Sequence, residues 1–274
     1  MLASIVSVQC GAALATSLFD SVGPAGAVFL RATFGALALL ALTKGAPLRS
    51  GRPHRDVVLL GVAVAAVNLF FYAALDRLPL GITVTLEFVG PLGVALFGSR
   101  RRQDVLWALL AGAGIILLSD GSGGESIDPL GVALALTAGL FWAAYILQSA
   151  RVGSLEPGIG GATMAAVISA VIVAPFGLVQ GAGDFLDPAV LAAGAAVGVL
   201  STAIPYTFEI EALRRLPQSV FGVLMSLEPA VAAAIGFVAL SQGLGGQEVV
   251  AIGLVVLASA GALRSAATPA PQDR

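Results

Sequence analysis

Residues 75–91 read LDRLPLGITVTLEFVGP, and residues 213–229 read LRRLPQSVFGVLMSLEP. The two stretches keep Leu, Arg, Leu, Pro, Leu and Pro in register at an offset of 138 residues, about half of the 274-residue chain. In each copy a charged turn leads through a proline into a long apolar run. This duplication predicts a membrane protein built from two repeats, an arrangement found in many secondary transporters.

The composition is that of an integral membrane protein. Hydrophobic residues make up 58% of the chain, charged residues make up 11%, and the mean hydropathy is +0.96. A soluble domain has roughly 45 to 50% apolar and about 25% charged residues. The apolar runs are continuous, which favours an all-α structure over a barrel of alternating strands.

The same composition limits the ligands and partners that we expect. One cysteine and one histidine cannot form a metal-binding cluster, so we predict no metal and no cofactor. A pI near 5.4 gives no basic surface for nucleic acid. The lipid bilayer and a small-molecule substrate are the expected partners.

Ten apolar segments are predicted to cross the hydrocarbon core, which takes about 17 to 25 residues. The fifth is short enough to be partly re-entrant or to begin earlier. We predict a first five-helix repeat over 1–119, a periplasmic linker over 120–128, a second five-helix repeat over 129–264 and a cytoplasmic tail over 265–274. The first segment has no basic region or cleavage site of a signal peptide, so we expect a retained span. The predicted spans lie near 1–18, 22–43, 57–75, 79–98, 104–119, 129–149, 159–179, 188–208, 217–240 and 247–264.

Charge supports this count, because short cytoplasmic loops collect Lys and Arg. With the N-terminus inside, 12 of the 14 basic residues fall on the inner side, whereas Arg77 lies outside and Arg31 lies within a span. Both termini are then cytoplasmic, in the inner membrane of a bacterium. Since each half has five spans, the two halves enter the bilayer in opposite directions, as inverted repeats do. The inner residues are Lys44, Arg49, Arg52, Arg55, Arg100, Arg101, Arg102, Arg151, Arg214, Arg215, Arg264 and Arg274.

Three glutamates inside apolar segments are the candidates for proton coupling: Glu87, Glu209 and Glu228. An ionisable group in a span is costly unless it is paired or hydrated, so each one is a functional hypothesis. Pro91 cannot donate a hydrogen bond to the carbonyl of Glu87, four residues earlier. The alternatives are a buried neutral or packing carboxyl for Glu87, an interfacial acid for Glu209 and a cap on an opened helical turn for Glu228.

Polar and aromatic side chains in the spans are the candidates for substrate binding. Arg31 suits a carboxylate because its guanidinium is planar and bidentate. The alternative for Arg31 is an outward contact with Asp20, and for the neutral groups it is contact between helices. Besides Arg31 the candidates are Gln9, Asn68, Tyr72, Trp142, Tyr145, Gln148 and Tyr206.

Several strings together resemble the EamA family of the drug/metabolite transporter superfamily, in particular its threonine/homoserine exporter branch. They are SIVSVQCGAALATSLFD, LPLGITVTLEFVGPLGVALFGSRR, LFWAAYIL, LSTAIPYTFEIEALRRLP and FGVLMSLEPAVAAA. The resemblance implies a ten-helix inverted-repeat fold, cytoplasmic termini, a central cavity and proton-driven efflux of amino acids. It places Arg31, Glu87, Glu209 and Glu228 in matching motifs. Where many members have a glutamate, LSQGL has Gln242, and we expect this difference to remove only an end-of-helix cap.

We therefore predict a secondary exporter of small polar metabolites, such as threonine or homoserine, that works by alternating access with proton exchange. The alternatives are an exporter of another metabolite or drug, such as a sugar phosphate, and an uncoupled channel. The sequence contains no recognisable catalytic set, so we do not predict an enzyme.

Overall fold

The computed structural model describes residues 1–49, 53–97, 102–119, 127–155, 158–181, 184–205, 208 and 224–267. These residues form helices and connecting turns, with no strand among them. A π-helical turn, Val199–Ala203, continues directly from the helix Pro188–Gly198. The helices are α1 (Leu2–Thr16), α2 (Phe19–Leu42), α3 (Ala46–Arg49), α4 (Arg55–Leu75), α5 (Leu80–Glu87), α6 (Val89–Phe97), α7 (Arg102–Ser119), α8 (Pro129–Leu155), α9 (Gly160–Gln180), α10 (Pro188–Gly198), α11 (Glu228–Leu240) and α12 (Gly246–Ala267).

The protein is an all-helical, multi-pass membrane protein, as the composition predicts. Six helical stretches are long and apolar enough to cross a bilayer, and four shorter apolar helices accompany them among the described residues. The described helices overlap all ten predicted segments, although residues 217–223 of the ninth lie outside the described part. The ten-span count and the inverted repeat stay predictions. The six long stretches are Phe19–Leu42, Arg55–Leu75, Leu80–Phe97, Pro129–Leu155, Gly160–Gln180 and Gly246–Arg264.

Two antiparallel helix contacts define the two ends of the bundle. In the first, Gly177 near the end of α9 lies against the carbonyl oxygen of Ala25 near the beginning of α2. In the second, Gly131 at the beginning of α8 lies against Leu78, just after α4, while Gln148 in α8 donates to Asp56 at the beginning of α4. As a result α2 and α8 end, and α4 and α9 begin, at one end of the bundle.

We call that end the Lys44 face, after Lys44, which lies two residues beyond the end of α2. The opposite end, where α8 begins and α4 and α9 end, we call the Asp128 face, after the residue that precedes α8. By the charge pattern of the sequence, the Lys44 face is the predicted cytoplasmic end.

Small residues let the helices approach closely, as is usual in lipid. The tightest crossing joins α6 to α8: a Cβ on Gly90 would lie 1.9 Å from the carbonyl oxygen of Gly139. In return, a Cβ on Gly139 would lie 2.6 Å from the carbonyl oxygen of Glu87. No side chain fits at either glycine, so backbone packs on backbone beside the interruption between α5 and α6.

That interruption falls at the motif LEFVGP. The helix α5 ends at Glu87 and α6 begins at Val89, with the N–H of Leu92 still donating to the carbonyl of Phe88 at 3.1 Å. Pro91 has no N–H to donate to the carbonyl of Glu87. The local sequence therefore places a carboxyl-bearing residue at an opened turn in the middle of the Leu80–Phe97 stretch.

Candidate functional site

A cavity of about 350 Å³ lies inside the bundle. Residues from α1, α2, α4, α5, α8 and α9 line it, together with the π-helical turn and the beginning of α11. On three of the four longest of these helices the lining residues fall towards the Lys44 face, within 31–39 of α2, 142–149 of α8 and 162–169 of α9. On α4 they span the middle of the helix, within 60–71. The cavity therefore lies nearer the Lys44 face.

The cavity brings together the two described candidate acids and the one intramembrane arginine. Glu87 at the end of α5 is 6% exposed, Glu228 at the beginning of α11 is 7% exposed, and Arg31 from α2 completes the set. Arg31 and Glu228 both act electrostatically on Glu87. Helices from both halves of the chain thus contribute one cation and two carboxyl groups to the same small space.

The two carboxyl groups differ in their hydrogen bonds. Glu228 Oε1 accepts a hydrogen bond from Gln9 Nε2 at 3.3 Å, which links α11 to α1. The carboxyl of Glu87 makes no hydrogen bond to another side chain or backbone group in the described part of the chain. Its burial without such a partner leaves it available to a proton or a ligand.

The guanidinium of Arg31 lies over an aromatic ring. Its Cζ lies 5.6 Å from the ring centroid of Tyr72, a distance that allows a cation–π contact. Tyr72 is fully buried and packs against Phe19 and Phe71 at centroid distances of 6.0 and 5.7 Å. Tyr72 does not line the cavity, so its position supports Arg31 rather than touching a solute.

The other candidate residues divide between the cavity and the rest of the bundle. Gln9, Asn68, Trp142 and Tyr145 line the cavity with Arg31. Gln148 does not: its amide nitrogen donates to Asp56 Oδ1 at 2.8 Å, and this contact ties α8 to α4. Tyr206 and Glu209 lie outside the described residues.

Besides Ser149 of α8, sequence reasoning missed two buried hydroxyls in the cavity wall, Ser169 of α9 and Ser201 of the π-helical turn. The neighbouring Thr202 also lines the cavity. A serine in an apolar span is a weak signal because its hydroxyl can bond to its own helix. Here neither Oγ has a hydrogen-bond partner among the described residues.

Polar contacts close the Asp128 face. Arg77 donates to Asp128 Oδ2 at 2.8 Å, and this hydrogen bond lowers the pKa of the Asp128 carboxyl. The N–H of Ala25 donates to Gln180 Oε1 at 2.7 Å, after a break in α2 at Gly23, whose φ is +68°. The sequence predicts the loss of a helix cap at Gln242, but Gln242 does cap a helix: its Oε1 accepts from the N–H of Leu80, the first residue of α5, at 2.9 Å.

These features define a class: a multi-pass membrane transporter with a polar, charged cavity between its helices. Residues 129–264 match the EamA-like transporter family. The chain is 44% identical over 264 residues to "Threonine/homoserine exporter RhtA" of Salmonella typhimurium (strain LT2), covering 95% of this chain and 89% of that protein. It is 42% identical over 263 residues to the protein of the same name from Escherichia coli (strain K12), with the same coverage. The chain therefore belongs to the EamA-like transporter family.

One more distant relative and one solved structure also match the chain. "Uncharacterized transporter YwfM" of Bacillus subtilis (strain 168) is 26% identical over 208 residues, covering 73% of this chain and 70% of that protein. A solved structure described as "Crystal structure of protein" has a TM-score of 0.66 and 24% sequence identity, and covers 95% of both chains. The latter likeness supports the fold alone.

Proposed function

We propose that this protein is a secondary exporter of small polar amino acids, such as threonine and homoserine, and that export is coupled to proton entry. We place it in the inner membrane of a bacterium, with ten spans in two inverted five-helix repeats and both termini in the cytoplasm. The cavity that contains Arg31, Glu87 and Glu228 carries the proposal. The names of the relatives, at 42 to 44% identity, support the substrate class.

The charges in the cavity suit a zwitterion. A guanidinium binds a carboxylate through charge-assisted hydrogen bonds, so Arg31 takes the α-carboxylate. The ammonium group needs a negative partner, which Glu228 provides while Gln9 holds one of its carboxyl oxygens. The remaining aromatic and amide groups of the wall, among them Trp142 and Asn68, limit the size and orientation of the solute.

Glu87 carries the exchanged proton. It is buried, faces the same cavity and has no hydrogen-bonded partner within the described chain. An ammonium bound beside Glu228 also attracts a negative charge on Glu87, so substrate binding favours release of the proton from Glu87. Because the two ligands disfavour one another, their movements in opposite directions are coupled.

The position of the cavity fits a state that receives substrate from the cytoplasm. Its lining lies towards the Lys44 face, the predicted cytoplasmic end, while Arg77, Asp128, Gln180 and Gln242 make the contacts that close the Asp128 face. Alternating access then requires those contacts to open as the cytoplasmic half closes.

Transport by purified protein in proteoliposomes tests the proposal. With an imposed pH gradient we expect wild-type protein to accumulate threonine and homoserine against their gradients, in the direction opposite to proton flow. Glu87→Gln removes the response to the pH gradient but retains exchange of labelled for unlabelled threonine. Asp184→Asn, at an exposed position before α10, is the matched control and behaves as wild type.

Three results would count against this account. Full proton-driven accumulation by Glu87→Gln rejects Glu87 as the proton site. Equilibration of threonine without accumulation by the wild type indicates an uncoupled channel. Failure of the wild type to move either amino acid, while other metabolites are moved, rejects the substrate class.

A further inference from the structure

The cavity has two facing walls on either side of α4. The helix α4 packs on α9 through Gly61, where a Cβ would lie 2.7 Å from the side chain of Ile168. It packs on α8 through Phe70, whose ring stacks on that of Phe141 at a centroid distance of 5.6 Å. Because Gly61 and Phe70 are about two and a half helical turns apart, α8 and α9 lie on opposite sides of α4. Their lining residues therefore face one another across the cavity.

The two walls differ in the size of their side chains. The α8 wall has two aromatic residues, Trp142 and Tyr145, followed by Ser149. The α9 wall consists of Ala162, Ala165, Ala166 and Ser169. Since the α9 wall is made of small residues alone, the aromatic residues of α8 determine how wide the cavity is.

Trp142 is packed from behind by the interruption between α5 and α6. Its ring meets the ring of Phe88 edge to face, at a centroid distance of 5.6 Å and an angle of 88°, and Phe88 is 2% exposed. The interruption is itself tight against α8, because a Cβ on Gly139, three residues before Trp142, would lie 2.6 Å from the carbonyl oxygen of Glu87. The indole therefore has no free space behind it into which a longer substrate could displace it.

The same contacts place Trp142 next to the charged groups of the cavity. Phe88 directly follows Glu87, and the charge of Arg31 acts on the carboxyl of Glu87. Tyr145 lies one turn nearer the Lys44 face and is 37% exposed. Trp142 is therefore the aromatic residue of the α8 wall that lies beside the charges.

We propose that Trp142 limits the side chain of the transported amino acid to about the size of those of threonine and homoserine. The inference rests on the proposed export of amino acids and specifies which of them the cavity accepts. With its α-carboxylate at Arg31 and its ammonium at Glu228, the substrate extends its side chain between the two walls, where a larger group meets the indole. Overfilling a closely packed space is unfavourable, and the packing of Phe88 behind the ring prevents the wall from yielding.

A series of amino acids of increasing size tests this limit. Inhibition of labelled threonine exchange in proteoliposomes gives the apparent affinity of each. For the wild type we expect homoserine to bind about as tightly as threonine, and leucine and phenylalanine to bind at least about tenfold more weakly. In Trp142→Leu, which widens the cavity, the preference for threonine over leucine falls to about twofold. The short apolar 2-aminobutyrate separates size from polarity, and we expect its affinity to lie nearer that of threonine than that of leucine.

Two further variants keep the test decisive. Trp142→Phe keeps a smaller aromatic ring, so it gives an intermediate preference and substitutes for Trp142→Leu if that protein does not fold. Trp107→Leu is the matched control, because Trp107 is the other tryptophan of the chain, packs on Gly261 of α12 and does not line the cavity. It retains the wild-type preference.

The outcomes separate this inference from the proposed function. The size limit is overturned, and amino-acid export is left in place, if the wild type binds leucine as tightly as threonine or rejects 2-aminobutyrate as strongly as leucine. A Trp142→Leu protein that retains the tenfold preference has the same consequence. A wild type that exchanges neither threonine nor homoserine overturns both.

Discussion

The two interruptions at LEFVGP and LMSLEP occupy equivalent places in the two halves, since Pro91 and Pro229 are 138 residues apart. In each, a proline leaves the carbonyl four residues earlier without its helical partner: that of Glu87 in the first half and that of Met225 in the second. The carboxyl groups, however, are not equivalent. Glu87 is the residue with the opened carbonyl, whereas Glu228 comes one turn later and directly precedes its proline.

The contacts around the two interruptions also differ. The first is fixed by backbone packing of Gly90 on Gly139, and its carboxyl has no hydrogen-bonded partner among the described residues. The second has its carboxyl fixed by Gln9. A duplicated backbone feature has thus acquired two environments, and we infer that a proton binds at the first carboxyl and an ammonium at the second.

The largest expected effect is on the backbone packing at the first interruption. Gly90→Ala places a Cβ against the carbonyl oxygen of Gly139, so α6 and α8 must separate, and we expect a loss of about 3 kcal/mol in the free energy of unfolding. Gly93→Ala in the same helix is the matched control, because a Cβ there meets nothing within 4 Å. Thermal unfolding in detergent measures both. Equal Tm values for the two variants would show that the crossing is not tight.

The two carboxyls themselves give the next largest effect. Glu228→Gln removes the negative charge offered to the substrate ammonium, and we expect threonine to bind about tenfold more weakly while transport still responds to a pH gradient. Glu87→Gln shows the reverse: loss of the pH response with near-normal binding. Binding and proton-driven uptake are measured on the same proteoliposomes. Identical defects in the two variants would contradict the division of roles.

A smaller effect is expected at the aromatic support of Arg31. Tyr72→Leu removes the ring beneath the guanidinium, and since a cation–π contact contributes about 0.5 to 2 kcal/mol, we expect threonine affinity to fall about fivefold. Tyr72→Phe keeps the ring and retains affinity close to that of the wild type. If Tyr72→Phe is as defective as Tyr72→Leu, the hydroxyl rather than the ring is what matters, and Arg31 is positioned by another group.

The smallest effect is expected at the exposed pair Arg77–Asp128, remote from both interruptions. Because the pKa of Asp128 is lowered in the folded protein, its contribution to stability is present above the usual carboxyl pKa, near 4, and is lost as the pH falls through the lowered value. Asp128→Asn therefore lowers Tm slightly at pH 7 and not at all in strong acid. A difference that persists unchanged in acid would contradict the ion-pair origin of this stabilisation.

The sequence predicted the helical segments well because the hydrocarbon core imposes a length and an apolar composition on each span. Long helices such as α4 and α9 begin and end within about two residues of the predicted segments, 57–75 and 159–179. Ionisable groups are rare in such segments, so the sequence alone marks Arg31, Glu87 and Glu228 as candidate site residues.

The sequence could not predict which of the other polar residues line the cavity. Tyr72 and Gln148 carry the same kind of polar signal as Asn68, yet one supports Arg31 from outside the cavity and the other joins α8 to α4. Ser201 lines the cavity from within a π-helical turn, a departure from regular helical spacing that the sequence did not predict. Such differences depend on which neighbouring helix a side chain meets, and helical spacing within one segment does not contain that information.

The sequence by itself determined that this protein lies in a membrane and that helices are interrupted near Pro91 and Pro229. The length of an apolar run determines where a helix spans the membrane, and a proline removes one backbone hydrogen-bond donor. A charged residue in an apolar run indicates a polar environment around it. Each of these effects depends on one segment of the chain alone. The tertiary structure decided which groups share a space. Glu87, Glu228, Arg31 and Gln9 come from four helices in both halves of the chain, and only the close packing of those helices brings them into one cavity and leaves Ser201 and Gln9 with unsatisfied polar atoms.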